Sequence, residues 1–128
     1  MSNASAGSRF LEGLRVLVVE DEAIISFLLE DMLGDLGAAD VRHAGNVRTA
    51  LAYLEQHTPD LAVLDVNLGG ERVYPVAEAL EAKGILFVFT TGYGKNGIDP
   101  RWAARPVVQK PFNVEGMTQA LRELLPAR

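Results

Sequence analysis

An alternation restricts the fold of this chain more than any other feature. Five short apolar or β-branched runs fall at residues 14–19, 40–44, 61–64, 85–90 and 107–109. Runs this short, bounded by Gly, Pro or acidic residues, suit buried strands. Between them lie segments with helical spacing. Residues 23–36 place Ile24, Phe27, Leu28, Met32 and Leu36 near one helical face, and Gly37 closes that helix. Asn46 is placed to cap a helix to about Gln56, with Val47, Ala50, Leu51 and Leu54 inward. A third helix is expected from Val73 to about Lys83, broken by Gly84. Asn113 caps a last helix to about Leu125, with Met117, Leu121 and either Leu124 or Leu125 inward. The connection at 95–105 is only weakly helical; Pro100, at a first helical position, starts a turn over 100–104.

Strand and helix alternating five times imply one α/β domain, a parallel sheet covered on both faces. At 128 residues the expected form is a flavodoxin-like, doubly wound (βα)5 sheet of order 2-1-3-4-5, with a short fourth helix. Residues 1–8 are small and polar, so 1–10 reads as a disordered leader or an expression remnant and 11–128 as the domain. The net charge of −5, without a dense Lys/Arg run, argues against nucleic acid as a partner. No apolar stretch is long enough to cross a bilayer, so no membrane partner is expected. The chain has no cysteine, which removes thiol chemistry and fits the cytoplasm.

The polar residues gather where strands end. The first strand delivers Glu20 and Asp21, the third Asp65, the fourth Thr90 and Thr91, the fifth Lys110. In the expected strand order those ends are neighbours, on the edge where open parallel sheets bind ligands. Each acid has a simpler reading alone: Asp65 as a turn former, Glu20-Asp21-Glu22 as favourable charge at a helix start. Together they need compensation, since two like charges ~4 Å apart cost about 4 kcal/mol at an effective dielectric of ~20. Mg²⁺ supplies it, with Lys110 as a fixed cation and Thr91 as a hydroxyl donor. Such a set suits a phosphoryl group, which a carboxylate can accept as an aspartyl-phosphate.

This pattern resembles the receiver domain of two-component response regulators, from Leu14 to about Leu125. The resemblance implies Asp65 as phosphoacceptor and Mg²⁺ held by Asp21, Glu20, Asp65 and the backbone carbonyl of Asn67. It implies Thr91 on a phosphoryl oxygen, Lys110 pairing with the phosphoryl charge, and a cis Lys110–Pro111 bond. Leu86-Phe87-Val88-Phe89-Thr90-Thr91-Gly92-Tyr93 is similar to the P-F-x-F-A-T-G-Y signature of a stand-alone alphaproteobacterial receiver class, departing at Leu86 and Thr90. That class implies a histidine kinase of the HWE or a related type, or a phosphotransfer protein, as phosphodonor. Output then runs through an unidentified downstream protein or by draining phosphate, and a homodimer is admitted. The chain would assist its own phosphorylation and dephosphorylation rather than act as an enzyme.

Two positions depart from the wider family. Gly69 stands where a proline commonly follows the phosphoacceptor, and Val107 stands where an aromatic switch residue is usual. Output by ordering a segment is therefore expected, rather than by rotation of one ring. Tyr93 is the candidate for shielding the phosphoryl group from water, and the glycines after it for letting the loop close.

Other readings compete. Gly92-Tyr93-Gly94-Lys95-Asn96-Gly97 fits G-x-G-x-x-G but lacks the helix and the later acid of a dinucleotide site. His43 and His57 lack metal or triad spacing and read as surface residues; Glu55, Glu71, Glu78 and Glu81 read as a solvated face. Trp102 packs or binds a partner. Asp65-Val66-Asn67 loosely resembles the D-x-D of haloacid-dehalogenase-like phosphatases, but on the third strand instead of the first. A degenerate receiver that binds partners without phosphorylation is the remaining alternative.

Overall fold

The computed structural model describes residues 9–92 and 97–125. The main strands are β1 (Arg15–Val19), β2 (Asp40–Ala44), β3 (Leu61–Asp65), β6 (Leu86–Thr91) and β7 (Val107–Gln109). They form one sheet of order β2-β1-β3-β6-β7, every pairing parallel. Counted along the main sheet alone this is the expected order 2-1-3-4-5. The helices are α1 (Ala23–Asp35), α2 (Val47–Gln56), α3 (Tyr74–Ala82) and α4 (Val114–Leu124).

Strand alternation divides the core in two. Leu17, Val19, Leu64, Phe87 and Phe89 face α2 and α3; Val16, Val18, Leu61, Val63 and Val88 face α1 and α4. The caps fall where expected: the Asn46 side chain accepts the Thr49 N–H at 2.8 Å and Asn113 that of Gly116 at 2.8 Å. Gly37 ends α1 with φ +105°, and Gly84 follows α3 with φ +70°. Phe10 packs against the α1–α4 core under the Arg122 guanidinium, 4.6 Å from the ring centroid.

Helix α1 corrects the expected face. Met32 and Leu36 are buried, but Ile24, Phe27 and Leu28 are exposed, Ile24 at 80%. The packed stripe is Ser26, Leu29, Met32, Leu33 and Leu36. Spacing could not choose, because apolar residues cover most of the helix circumference.

A two-stranded hairpin, β4 (Asn67–Leu68) and β5 (Glu71–Arg72), adds to the expected elements. Its turn residues Gly69 and Gly70 both have positive φ, +61° and +95°. That is the two-residue turn matching strand twist, and it explains Gly69 in place of a proline, whose φ is locked near −65°.

The β6–β7 connection has no α-helix among the described residues, only a 3₁₀ turn at Pro100–Trp102. Trp102 is buried between Tyr74, Phe87 and Phe89, with ring centroids 5.9–6.4 Å away. Arg101 pairs with Glu78 at 2.8 Å and Arg105 with Glu81 at 2.9 Å, while the Tyr74 hydroxyl accepts the Asp99 N–H at 2.8 Å. Glu78 and Glu81 therefore hold this connection instead of forming a purely solvated face, and Trp102 is a packing residue. Glu71 is likewise engaged, accepting the Val47 N–H at 3.3 Å.

Candidate functional site

Register brings the site together. Asp65 ends β3 opposite Thr90 of β6, and Thr91 lies opposite Gln109, the residue before Lys110. The Lys110 N–H donates to the Thr91 carbonyl at 2.8 Å, and the Glu20 N–H to the Ala44 carbonyl at 3.0 Å. Backbone bonds therefore fix Glu20 and Lys110 just past their strands, while Asp65 and Thr91 are the last residues of theirs. The Lys110–Pro111 peptide is cis.

Lys110 Nζ lies 3.0 Å from Glu20 Oε1 and 3.1 Å from Asp65 Oδ2. The other Glu20 oxygen accepts the Glu22 N–H at 3.1 Å, tying the acid to the entry of α1. Asp65 Oδ1 accepts the Asn67 N–H at 3.3 Å. Asp65 is thus a turn former as well as an ion-pair partner.

Carboxylate oxygens of Glu20, Asp21 and Asp65 lie within 4.8 Å of one another. Glu20 and Asp65 are buried, whereas Asp21 is exposed at the lip. Burial pushes the Glu20 carboxyl up to about 7, with the Asp65 charge adding to it, against bonds from the Glu22 N–H and Lys110. Burial opposes charge on Lys110, but hydrogen bonds to Glu20 and Asp65 outweigh it and hold the ammonium above its ordinary value. One lysine thus serves two buried acids while a third stands beside them. All-oxygen donors with surplus negative charge fit a hard divalent cation.

The site opens into a cavity of about 320 Å³, lined by Asp21, Asp65, Asn67, Arg72, Thr91 and Lys110 among others. Thr91 is buried except where it meets this cavity. Asn67 stands at its wall, its side chain accepting the Gly70 N–H at 3.0 Å. Val107 is half-buried and packs against the α2–α3 core. Tyr93 lies outside the described residues, as do the centre of the glycine-rich stretch and the loop closure expected of it.

The remaining candidates sit elsewhere. His43 bonds Ser26 Oγ at 2.9 Å and lies 3.4 Å from Glu30, joining α1 to the sheet edge; His57 stacks on Tyr53. Arg72 belongs to the cavity wall although sequence reasoning passed over it, because a two-residue strand has no period to signal which way it points.

The profile of the response regulator receiver domain matches residues 16–122. The transcriptional regulatory protein PdtaR of Mycobacterium tuberculosis is 31% identical over 111 residues, covering 84% of this chain and 54% of that protein. The chain therefore spans about half the length of this curated relative. The solution structure of SdrG from Sphingomonas melonis Fr1 is 47% identical with a TM-score of 0.77, covering 85% of this chain and 93% of that one. The BeF3-activated conformation of SdrG from Pseudomonas melonis Fr1 is 48% identical with a TM-score of 0.74, covering 84% and 92%. No helix among the described residues is long and apolar enough to cross a membrane.

Proposed function

The chain belongs to the response regulator receiver family, and on that premise we propose that it accepts a phosphoryl group on Asp65, in a Mg²⁺-dependent reaction, from a histidine kinase or a phosphotransfer protein. The observation that carries this reading is Lys110 Nζ between Glu20 and Asp65, at 3.0 and 3.1 Å, with Asp21 alongside.

Lys110 orients the Asp65 carboxylate through Oδ2, leaving Oδ1 with the longer bond from Asn67 as the freer oxygen. That oxygen attacks the phosphorus of a phosphohistidine or acetyl phosphate. A P–O bond to Asp65 forms, and the P–N or P–O bond to the donor breaks, its electron pair leaving with the donor. Hydrolysis reverses the logic: water attacks phosphorus, the bond to Asp65 breaks, and carboxylate and inorganic phosphate separate. Asp21, Glu20, Asp65 and the Asn67 carbonyl would hold the Mg²⁺, which when bound neutralises the charge that the transferred group brings. Thr91 donates to a phosphoryl oxygen and Lys110 pairs with another. Tyr93 keeps its proposed shielding role, and Pro111 and Val107 their proposed modulating roles, on sequence position alone. The receiver unit takes in Phe10 as well as residues 11–128.

The partner reading draws on α1. Exposed Ile24, Phe27 and Leu28 begin within a turn of the acids, where a phosphodonor must approach. Such a patch suits an apolar helical face on a kinase, of the HWE or a related type. Output would pass to a further protein or end as drained phosphate, in the cytoplasm. An SdrG in a BeF3-activated conformation supports the same chemistry here.

Incubation with a phosphorylated histidine kinase and Mg²⁺ tests the reading. Label should move to this chain and decay by hydrolysis. Steady turnover of a phosphomonoester would instead favour a phosphatase, and no transfer from any phosphodonor a degenerate receiver.

A further inference from the structure

Among the described residues, two cations line the cavity beside Asp65, Lys110 and Arg72. Lys110 is committed to Glu20 and Asp65. Arg72 meets no carboxylate within ion-pair distance among the described residues, and it is exposed. Its backbone is nevertheless fixed with respect to Asp65. It stands opposite Asn67 in the β4–β5 register, and the next residue, Val73, donates its N–H to the Val66 carbonyl at 3.0 Å. Successive side chains of a strand point to opposite faces. Glu71 reaches the N-terminus of α2, which leaves Arg72 on the cavity side. Arg72 also borders a neighbouring cleft with Tyr74, Ile98 and Asp99, so its side chain has room on both sides.

The charge balance gives this arginine a use. A divalent ion offsets the surplus of the three acids over Lys110. An aspartyl-phosphate then replaces a carboxylate of one negative charge with a group nearer two. Lys110 is already shared with Glu20, so it answers only part of the added charge. A guanidinium presents a planar fork that matches phosphoryl oxygens.

Resting on the reading of Asp65 as phosphoacceptor, we propose that Arg72 is a second phosphoryl-binding cation. Its guanidinium closes on the phosphoryl oxygens once Asp65 is modified and draws the β4–β5 hairpin against the site. The hairpin then reports phosphorylation to α3, whose first residues follow it directly.

Calorimetry with beryllofluoride as the phosphoryl mimic tests this in the full chain. Arg72→Ala should weaken beryllofluoride binding in the presence of Mg²⁺ by about tenfold, the effect of one partly exposed charge-assisted pair. Affinity for Mg²⁺ alone should stay within about twofold, since Arg72 adds no donor to the metal. Arg72→Lys should recover part of the loss. Amides of 67–72 should gain hydrogen-exchange protection with the mimic in the parent and not in Arg72→Ala. Equal beryllofluoride affinity in parent and Arg72→Ala would overturn the proposal while leaving Asp65 as phosphoacceptor. Equal losses of Mg²⁺ and mimic binding would overturn it too, by pointing to a merely structural role. A parent that binds Mg²⁺ but no mimic would bring down the phosphoacceptor reading, and Arg72 with it.

Discussion

Asp65 combines a local and a long-range role. One oxygen accepts the Asn67 N–H and shapes the turn; the other meets a lysine contributed from forty-five residues away in sequence. Asp21 differs from its neighbours in being exposed, without the lysine contact that occupies Glu20. Its carboxylate is therefore the one most available to a cation. Asp21→Ala should weaken Mg²⁺ binding roughly tenfold or more by calorimetry, since it removes a donor oxygen and its charge. Glu20→Ala should weaken it less, because both Glu20 oxygens already have partners, and equal Mg²⁺ affinity in Asp21→Ala and the parent would reject this assignment. Gly69 shows why a departure from family pattern can be local physics. Its φ of +61° excludes proline, and a Cβ there would lie 3.5 Å from Asp21 Oδ2.

Among the elements, α1 and the β6–β7 connection carry the consequences that periodicity did not reach. Helix α1 is apolar on more than its packed stripe, which leaves Phe27 at 65% exposure. Phe27→Ala should hold stability within about 0.5 kcal/mol, as for a surface substitution, and slow phosphotransfer from a kinase several-fold. Labelling by acetyl phosphate should not change, because that donor needs no docking surface. An equal rate from the kinase would remove α1 from the partner reading. The connection before β7 depends on Trp102, the chain's single tryptophan, 3% exposed. Trp102→Ala should cost about 3 kcal/mol or more, the usual loss for deleting a buried aromatic side chain, read by denaturation followed with circular dichroism. A change below about 1 kcal/mol would mean the Tyr74–Phe87–Phe89 cluster closes over the gap.

Across the whole molecule, topology and site were legible for one reason. Strand runs and helical segments have different periods, and in a parallel sheet every strand ends on the same edge. Glu20, Asp65, Thr91 and Lys110 could therefore be grouped before any contact was known, and the structure brings Asp65, Thr91 and Lys110 to one cavity, with Glu20 paired to Lys110 beside it. The caps Asn46 and Asn113 were legible because capping is local. What stayed hidden depended on tertiary choice. The face of α1 was decided by its packing against the sheet, the β4–β5 hairpin by two glycines at positive φ, and Trp102 by the pocket between α3 and β6. Arg72 was hidden with the hairpin that carries it. Membership of the receiver family agrees with the residue-level reading, so the central claim now rests on one bond, between phosphorus and an oxygen of Asp65. The most direct measurement is intact mass after incubation with acetyl phosphate and Mg²⁺, made on the parent and on Asp65→Asn. The account predicts a single added phosphoryl group on the parent and almost none on the variant; equal labelling of the two would contradict it.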